Sequence, residues 1–225
     1  MENSAYNGET LTGNAEGNTV GSQEGFSKRE QSIIVGLMLG DGSMQRLSKK
    51  SARLVVKHGV KQREYVYFLY SELRRWVKTP PKMTTELDRR FGIKTNRYRF
   101  RTVNSPYLLS YYRLFYNDQG KKRLPNNISH ILDDLGLAIW FMDDGSYKND
   151  SKGLLINSNH FSVREQEEIQ KVLKNRFKIN TTLHTPGHWK RIYIPAPESP
   201  KFAKIILPHI IPSLRYKLQK LSLTL

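Results

Sequence analysis

The chain has 225 residues, with 37 Lys and Arg against 20 Asp and Glu and a formal net charge of +17. That length can bury one large core or two small ones sharing an interface, and the charge favours a polyanion as partner, nucleic acid ahead of an anionic membrane surface. No run approaches the roughly 18 apolar residues of a membrane-spanning helix, and the absence of cysteine excludes disulfides, thiolate zinc and thiol nucleophiles, leaving oxygen or histidine to hold any metal.

Residues 1–27 carry Glu2, Glu9, Glu16 and Glu24 with no Lys or Arg, in a background of Gly, Asn, Ser and Thr. The composition predicts a disordered acidic tail without the marks of a transit or signal peptide. Residues 28–40 predict a helix, with Ser27 as N-cap and Glu30 three residues on. Gly36 and Gly40 share one face of it. Glycines there cost roughly 1 kcal/mol each relative to Ala, a cost that close approach of another backbone would offset. The helix runs into Asp41-Gly42-Ser43, where Gly42 suits a helix stop in the left-handed region.

Residues 52–58 (ARLVVKH) are apolar enough for a half-buried strand. In 96–102 (NRYRFRT) the two-residue period sets Arg97, Arg99 and Arg101 on one face and Tyr98, Phe100 and Thr102 on the other. One face then packs on helices while the other presents guanidinium groups, with Arg53 and Lys57 adding a weaker version. An Arg-decorated solvated strand is the plainer alternative. In the second half, a helix is predicted over about 131–144, a strand over 153–160, and Lys190, Arg191 and Tyr193 fall in KRIYIPA.

The two halves lie over one another in order. LMLGDGSM matches FMDDGSYK with Asp41 over Asp144; Arg63-Glu64 matches Arg164-Glu165; NRYRFRT matches KRIYIPA; Ser105-Pro106 matches Ser199-Pro200; Pro125 matches Pro212. The colinear series indicates a duplicated unit, each copy reading helix, two strands, helix, two strands, helix. The fold class is therefore α+β, two pseudo-symmetric units with antiparallel sheets. Arginine-bearing sheets and ribbons fit the major groove of a duplex.

A carboxylate at a helix C-terminus opposes the macrodipole, and two side by side would repel. A divalent cation cancels both costs, and oxygen-only ligation with water in the shell suits Mg²⁺. The matched positions select Asp41 and Asp144, with Asp143 falling at the place of Gly40. Beside a polyanion-binding surface, such a site implies phosphodiester hydrolysis.

These residues resemble the LAGLIDADG homing endonuclease family. Its nine-residue motif looks like IVGLMLGDG (34–42) and LAIWFMDDG (137–145), and KKRLPNNI and PHIIPSLRYKL are similar to its monomeric, two-motif, intron-encoded members. The resemblance covers nearly the whole chain after the tail. It implies αββαββα units at 28–125 and 126–225, motif helices at their interface, and sheets forming a DNA-binding saddle over a long asymmetric duplex site. It further implies Mg²⁺ and water held by Asp41 and Asp144, cleavage of both strands with 3′ overhangs, basic active-site residues at Lys122 and Lys217, and an organelle or microbial intron host. For Lys122 a plain phosphate contact stays open, and Lys121 could take its place. Ile139 and Asp143 stand where the motif often has small residues, which bears on how tightly the helices close.

The same family includes maturases that bind host intron RNA, the alternative function here; a catalytically silent DNA-binding regulator is less well supported by paired carboxylates. His184 and His188 have helical ligand spacing but flank Pro186-Gly187 and are expected in a loop. The glycines before Asp41 end an apolar helix and so do not form a nucleotide-binding fingerprint.

Overall fold

The computed structural model describes residues 25–88, 92–185 and 190–221, so nearly all of the acidic tail, and His188, lie outside the described residues. The first unit runs α1 (Lys28–Leu39), β1 (Ser43–Arg46), β2 (Ala52–Gly59), α2 (Arg63–Glu72), β3 (Lys82–Asp88), β4 (Ile93–Arg101) and α3 (Pro106–Phe115). After a single turn, α4 (Ile128–Ile131), the order repeats as α5 (Asp134–Asp144), β5 (Gly145–Lys148), β6 (Gly153–Ile156), α6 (Val163–Phe177), β7 (Thr182–His184), β8 (Arg191–Ile194) and α7 (Ser199–Ile206). The sheets have matching orders, β1-β2-β4-β3 and β5-β6-β8-β7, and every pairing is antiparallel. None of the described helices is long and apolar enough to cross a membrane.

Sequence and structure differ at four places. The helix expected over 131–144 breaks at Leu132, and α5 starts afresh because the Asp133 side chain accepts from the Gly136 N–H as its N-cap. The strand expected over 153–160 ends at Ile156; past it, Gln166 on α6 donates to the carbonyls of Ser158 and Phe161 and fixes a turn instead. Neither Gly42 nor Gly145 is left-handed, since among the described glycines positive φ occurs at Gly92 and Gly120. Contact is what excludes a side chain at Gly42, where a Cβ would lie 2.8 Å from Leu37 Cβ. His184, expected in a loop, ends β7.

The N-terminal capping box of α1 forms as expected between Ser27 and Glu30. Glu30 is buried and also accepts from Arg75 Nε at 2.7 Å and Trp76 Nε1 at 3.0 Å, tying the helix start to the end of the α2 segment.

Helices α1 and α5 pack along the middle of one continuous core. The closeness of their seam comes from size complementarity. A Cβ on Gly36 would lie 2.5 Å from the Gly136 carbonyl and 2.6 Å from Ile139 Cβ, and one on Gly40 would overlap the Asp143 side chain. The bulkier second copy thus fits the glycines of the first, and the seam stays tight. At its far end Ser32 Oγ on α1 donates to Asp133 Oδ2 at 2.5 Å. Gly36→Ala should therefore force the helices apart. Overpacking of this kind costs about 1–3 kcal/mol, against roughly 1 kcal/mol gained in helix propensity. With a backbone carbonyl 2.5 Å away the cost lies at the upper end, so chemical denaturation should show a net loss of about 2 kcal/mol, and an unchanged midpoint would mean the seam can open freely.

Candidate active site

The motif helices bring their C-terminal ends together, and three carboxylates gather there with different exposures. The Asp41 side chain is 53% exposed, that of Asp143 is fully covered, and Asp144 is half-buried. Burial, reinforced by the charge of Asp41, pushes the Asp144 carboxyl up to about 7 despite the opposing Lys122 and Lys217. Asp143 is pushed well above the carboxylate range, again by burial first and then by Asp41 and Asp144.

Both predicted lysines reach this place. Lys122 Nζ donates to the Gly40 carbonyl at 2.6 Å, while Lys217 Nζ donates to Met142 O at 2.5 Å and more weakly to Asp143 O at 3.3 Å and Phe141 O at 3.4 Å. Each ammonium thus satisfies carbonyls left over at the negative end of a motif helix. Burial lowers both lysine pKa values, and the three aspartates oppose that shift. Lys121 is exposed, so of the two it is Lys122 that meets the end of α1. Lys217 is supplied by the short 3-10 helix Pro212–Lys217.

The structure adds residues that the sequence did not single out. Asp143 accepts from the Asp41 backbone N–H at 2.9 Å and from the Tyr65 hydroxyl at 2.8 Å. His58, on the inward face of β2 and only 2% exposed, lies 3.7 Å from Asp41 Oδ2 through Nδ1 and 3.6 Å from Asp143 Oδ1 through Nε2. Burial lowers the His58 pKa and takes His160, on the other side of the seam, down to about 4. A polar residue facing a glycine at the matched motif position is the one sequence signal that pointed to Asp143. A lone His closing a strand gave none for His58.

No three His, Asp or Glu side chains among the described residues gather closely enough to cage a metal. A cation at Asp41 and Asp144 would have two carboxylates from the protein and take the rest of its shell from water or phosphate, as Mg²⁺ commonly does. The fit is electrostatic: burial, and then the charge of Asp41, raise the Asp144 carboxyl to about 7 against the two lysines, and a cation would offset both causes.

The predicted nucleic-acid residues divide unequally. In the first sheet Lys57 pairs with Arg99, Val55 with Arg101 and Gly59 with Arg97, so Arg97, Arg99 and Arg101 share one face with Arg53 and Lys57. The alternating burial of β2 marks that face as the open one. Glu86 holds Lys57 at 2.8 Å and approaches Arg99 at 3.7 Å, and Gln45 accepts from Arg53 Nε at 2.9 Å, which fixes these cations in place. In the second sheet Arg191 and Tyr193 alternate with buried Ile192 and Ile194 and share their face with Leu155 and His184. Lys190 precedes β8 on the parity of Ile192 and does not extend that face.

A model of the LAGLIDADG DNA endonuclease family matches residues 31–202. The chain is 30% identical over 199 residues to the cytochrome b mRNA maturase bI2 of Debaryomyces hansenii, across 86% of this chain and 74% of that protein. It is 29% identical over 209 residues to the DNA endonuclease I-ChuI of Chlamydomonas applanata, across 85% of this chain and 95% of that one. The solved structure of the homing endonuclease I-WcaI bound to its DNA recognition sequence superposes with a TM-score of 0.78 at 25% identity, across 87% of this chain and 88% of that one. With two motif helices seamed together and a four-stranded sheet attached to each, the chain belongs to the LAGLIDADG DNA endonuclease family.

Proposed function

We propose that this protein is a site-specific endonuclease that hydrolyses both strands of a long asymmetric DNA duplex, leaving 3′ overhangs, and that it works as a monomer built from units 28–125 and 126–225. The observation that carries this reading is the convergence of Asp41, Asp144, Lys122 and Lys217 at the paired C-termini of α1 and α5. RNA binding alone would not need two carboxylates kept so close in so basic a chain.

In this reading Asp41 and Asp144 hold Mg²⁺. The cation supplies activation of water and neutralisation of the charge that builds on the phosphate. The protein does the rest. The two carboxylates orient water and the scissile phosphates. Lys122 and Lys217, fixed on helix-end carbonyls, keep positive charge beside the pentacovalent phosphate without having to move as the reaction proceeds. The sheets form a saddle over the duplex, where Arg53, Lys57, Arg97, Arg99 and Arg101 contact one half-site and Arg191 and Tyr193 the other, with Lys121 and Lys190 at its margins. An organelle intron is the favoured genetic setting, in keeping with an intron-encoded relative in Wickerhamomyces canadensis.

The test is digestion of a randomised duplex library with Mg²⁺ and with chelator, followed by mapping of the cut ends. A defined long site with 3′ overhangs, lost on chelation, is expected. If no duplex is cut while a structured intron RNA is bound more tightly than any DNA, the maturase function stands in its place, a reading kept in view by the maturase relatives.

The asymmetry of the sheets has its own consequence. Arg97→Ala and Arg101→Ala should each lower duplex affinity and reduce the slope of log K against log salt by about 0.9, the contribution of one phosphate contact. Tyr193→Phe keeps the aromatic face and removes no charge, so its slope should match the parent. Binding isotherms at several salt concentrations decide this, and equal slopes for all variants would remove these arginines from the phosphate interface.

A further inference from the structure

The two halves of the active site are not equivalent behind their aspartates. Asp41 is backed by the Asp143 carboxyl on its own N–H, by Tyr65 on the far oxygen of that carboxyl, and by the His58 ring between them. The place for Asp143 exists because Gly40 carries no side chain. Matched positions in the other half hold different groups. Gly40 itself stands at the counterpart of Asp143, so no carboxylate is available to the Asp144 N–H from that position. Arg63-Glu64 matches Arg164-Glu165, which sets Gln166 at the counterpart of Tyr65. Its amide is spent on the carbonyls of Ser158, Phe161 and Lys190, within its own unit. The colinear matches set His160 against His58, and His160 lies beside Leu39 at the end of α1, so the difference between the halves rests on Asp143 and Tyr65, with His58 completing the cluster they form.

We propose that Asp41 and Asp144 each orient the water for one of the two scissile phosphates, that Asp143, Tyr65 and His58 are positioning residues that hold Asp41, and that cleavage of one DNA strand therefore depends on them while cleavage of the other does not. The arrangement acts through Asp41 only. Asp143 fixes the peptide that carries it, Tyr65 fixes Asp143, and His58 fills the space that would let the Asp41 carboxylate swing inward. Tyr65 and Asp143 are both buried, so neither offers DNA a contact of its own. This inference rests on the endonuclease reading above.

The experiment uses the full chain and a duplex cut by the parent protein, selected from the randomised library, with each strand labelled separately. Single-turnover cleavage is followed on both strands for the parent, Tyr65→Phe and Asp143→Asn. Supporting partners of this kind are worth 10–100-fold in activity, so the rate on one strand should fall about tenfold or more. The other strand should stay within about twofold, and nicked duplex should accumulate. Equal slowing of both strands would mean a generally loosened helix seam and overturns the proposal, as would unchanged rates on both. Tyr65→Phe keeps the buried ring, so it decides the matter even if Asp143→Asn fails to fold. A parent protein that cuts no duplex overturns the endonuclease reading and this inference together, whereas equal slowing overturns the inference alone.

Discussion

Asp144→Asn should abolish double-strand cleavage and, in metal-free protein at pH 8, melt at a higher temperature than the parent. The two effects share one cause. Folding raises the Asp144 carboxyl to about 7 from the ordinary 3.8. Below pH 4 it is protonated folded or unfolded, and folding meets no penalty. Between those values the unfolded chain releases the proton that the folded chain keeps, so the parent loses stability as pH rises, and above 7 the loss is complete. Asn does not titrate. Its advantage should be absent at pH 4 and reach about 2 kcal/mol at pH 8 once relaxation and water access are allowed for, or about 4–8 °C for a chain of this size. Protonation of His58 and His160 at low pH weakens both proteins alike and cancels in the difference. Adding Mg²⁺ should stabilise the parent and leave the variant behind, because the variant lacks one of two carboxylates. Cleavage of at least one strand should fall on the order of a thousandfold or more, which ends double-strand cutting, since charge stabilisation of that phosphate is weakened with the loss of a carboxylate. Melting curves at pH 4 and 8, with chelator and with Mg²⁺, read the first effect. A variant no more stable than the parent at pH 8 would show that the lysines already neutralise the pair.

This exchange of stability for a charged cluster explains which features the sequence could display. The duplicated order of elements was legible because each unit needs the same alternation of apolar faces, and the matched pairs keep their sequence from Asp41 and Asp144 through to Pro125 and Pro212. The capping box at Ser27 and Glu30 is a local device and appeared where expected. The arginine face of β4 followed from a period of two. What escaped depends on particular contacts rather than on periodicity. Leu132 ends one helix and Asp133 caps the next, a break that the Asp133-Asp134 pair signals locally and that a helix drawn from residue 131 passes over. The exclusion of side chains at Gly42 and Gly145 comes from Leu37 and Phe141 one turn back, not from backbone handedness. Asp143 looked like an intruder in a small-residue seam, yet it fills the space left by Gly40, a fit that neither copy reveals alone. His58 closes a strand in the sequence, and its approach to Asp41 within the unit and to Asp143 across the seam follows from the tertiary fold.

Lys217→Met should leave duplex affinity nearly unchanged while lowering the cleavage rate by about a hundredfold or more. Methionine matches the length of the lysine stem and suits the buried, apolar setting beside Leu214 and Leu218. What it cannot do is donate to the carbonyls of Phe141, Met142 and Asp143. Those groups form the negative end of α5, already beside three carboxylates, so removing the ammonium leaves that charge uncompensated where the phosphate must approach. Lys217 is only 8% exposed and lies off the open sheet faces, so encounter with DNA does not depend on it, and the loss belongs to the rate rather than to binding. Folding stability should also fall, by about 3 kcal/mol, as expected when one partner of a buried charge cluster is removed. The double variant Lys217→Met with Asp144→Asn separates these roles. Removing both members of the cluster takes away the uncompensated charge, so its stability should exceed the sum of the single effects by about 1–2 kcal/mol, while cleavage stays absent. Strict additivity in denaturant titrations would mean that Lys217 serves the helix end alone and does not compensate Asp144.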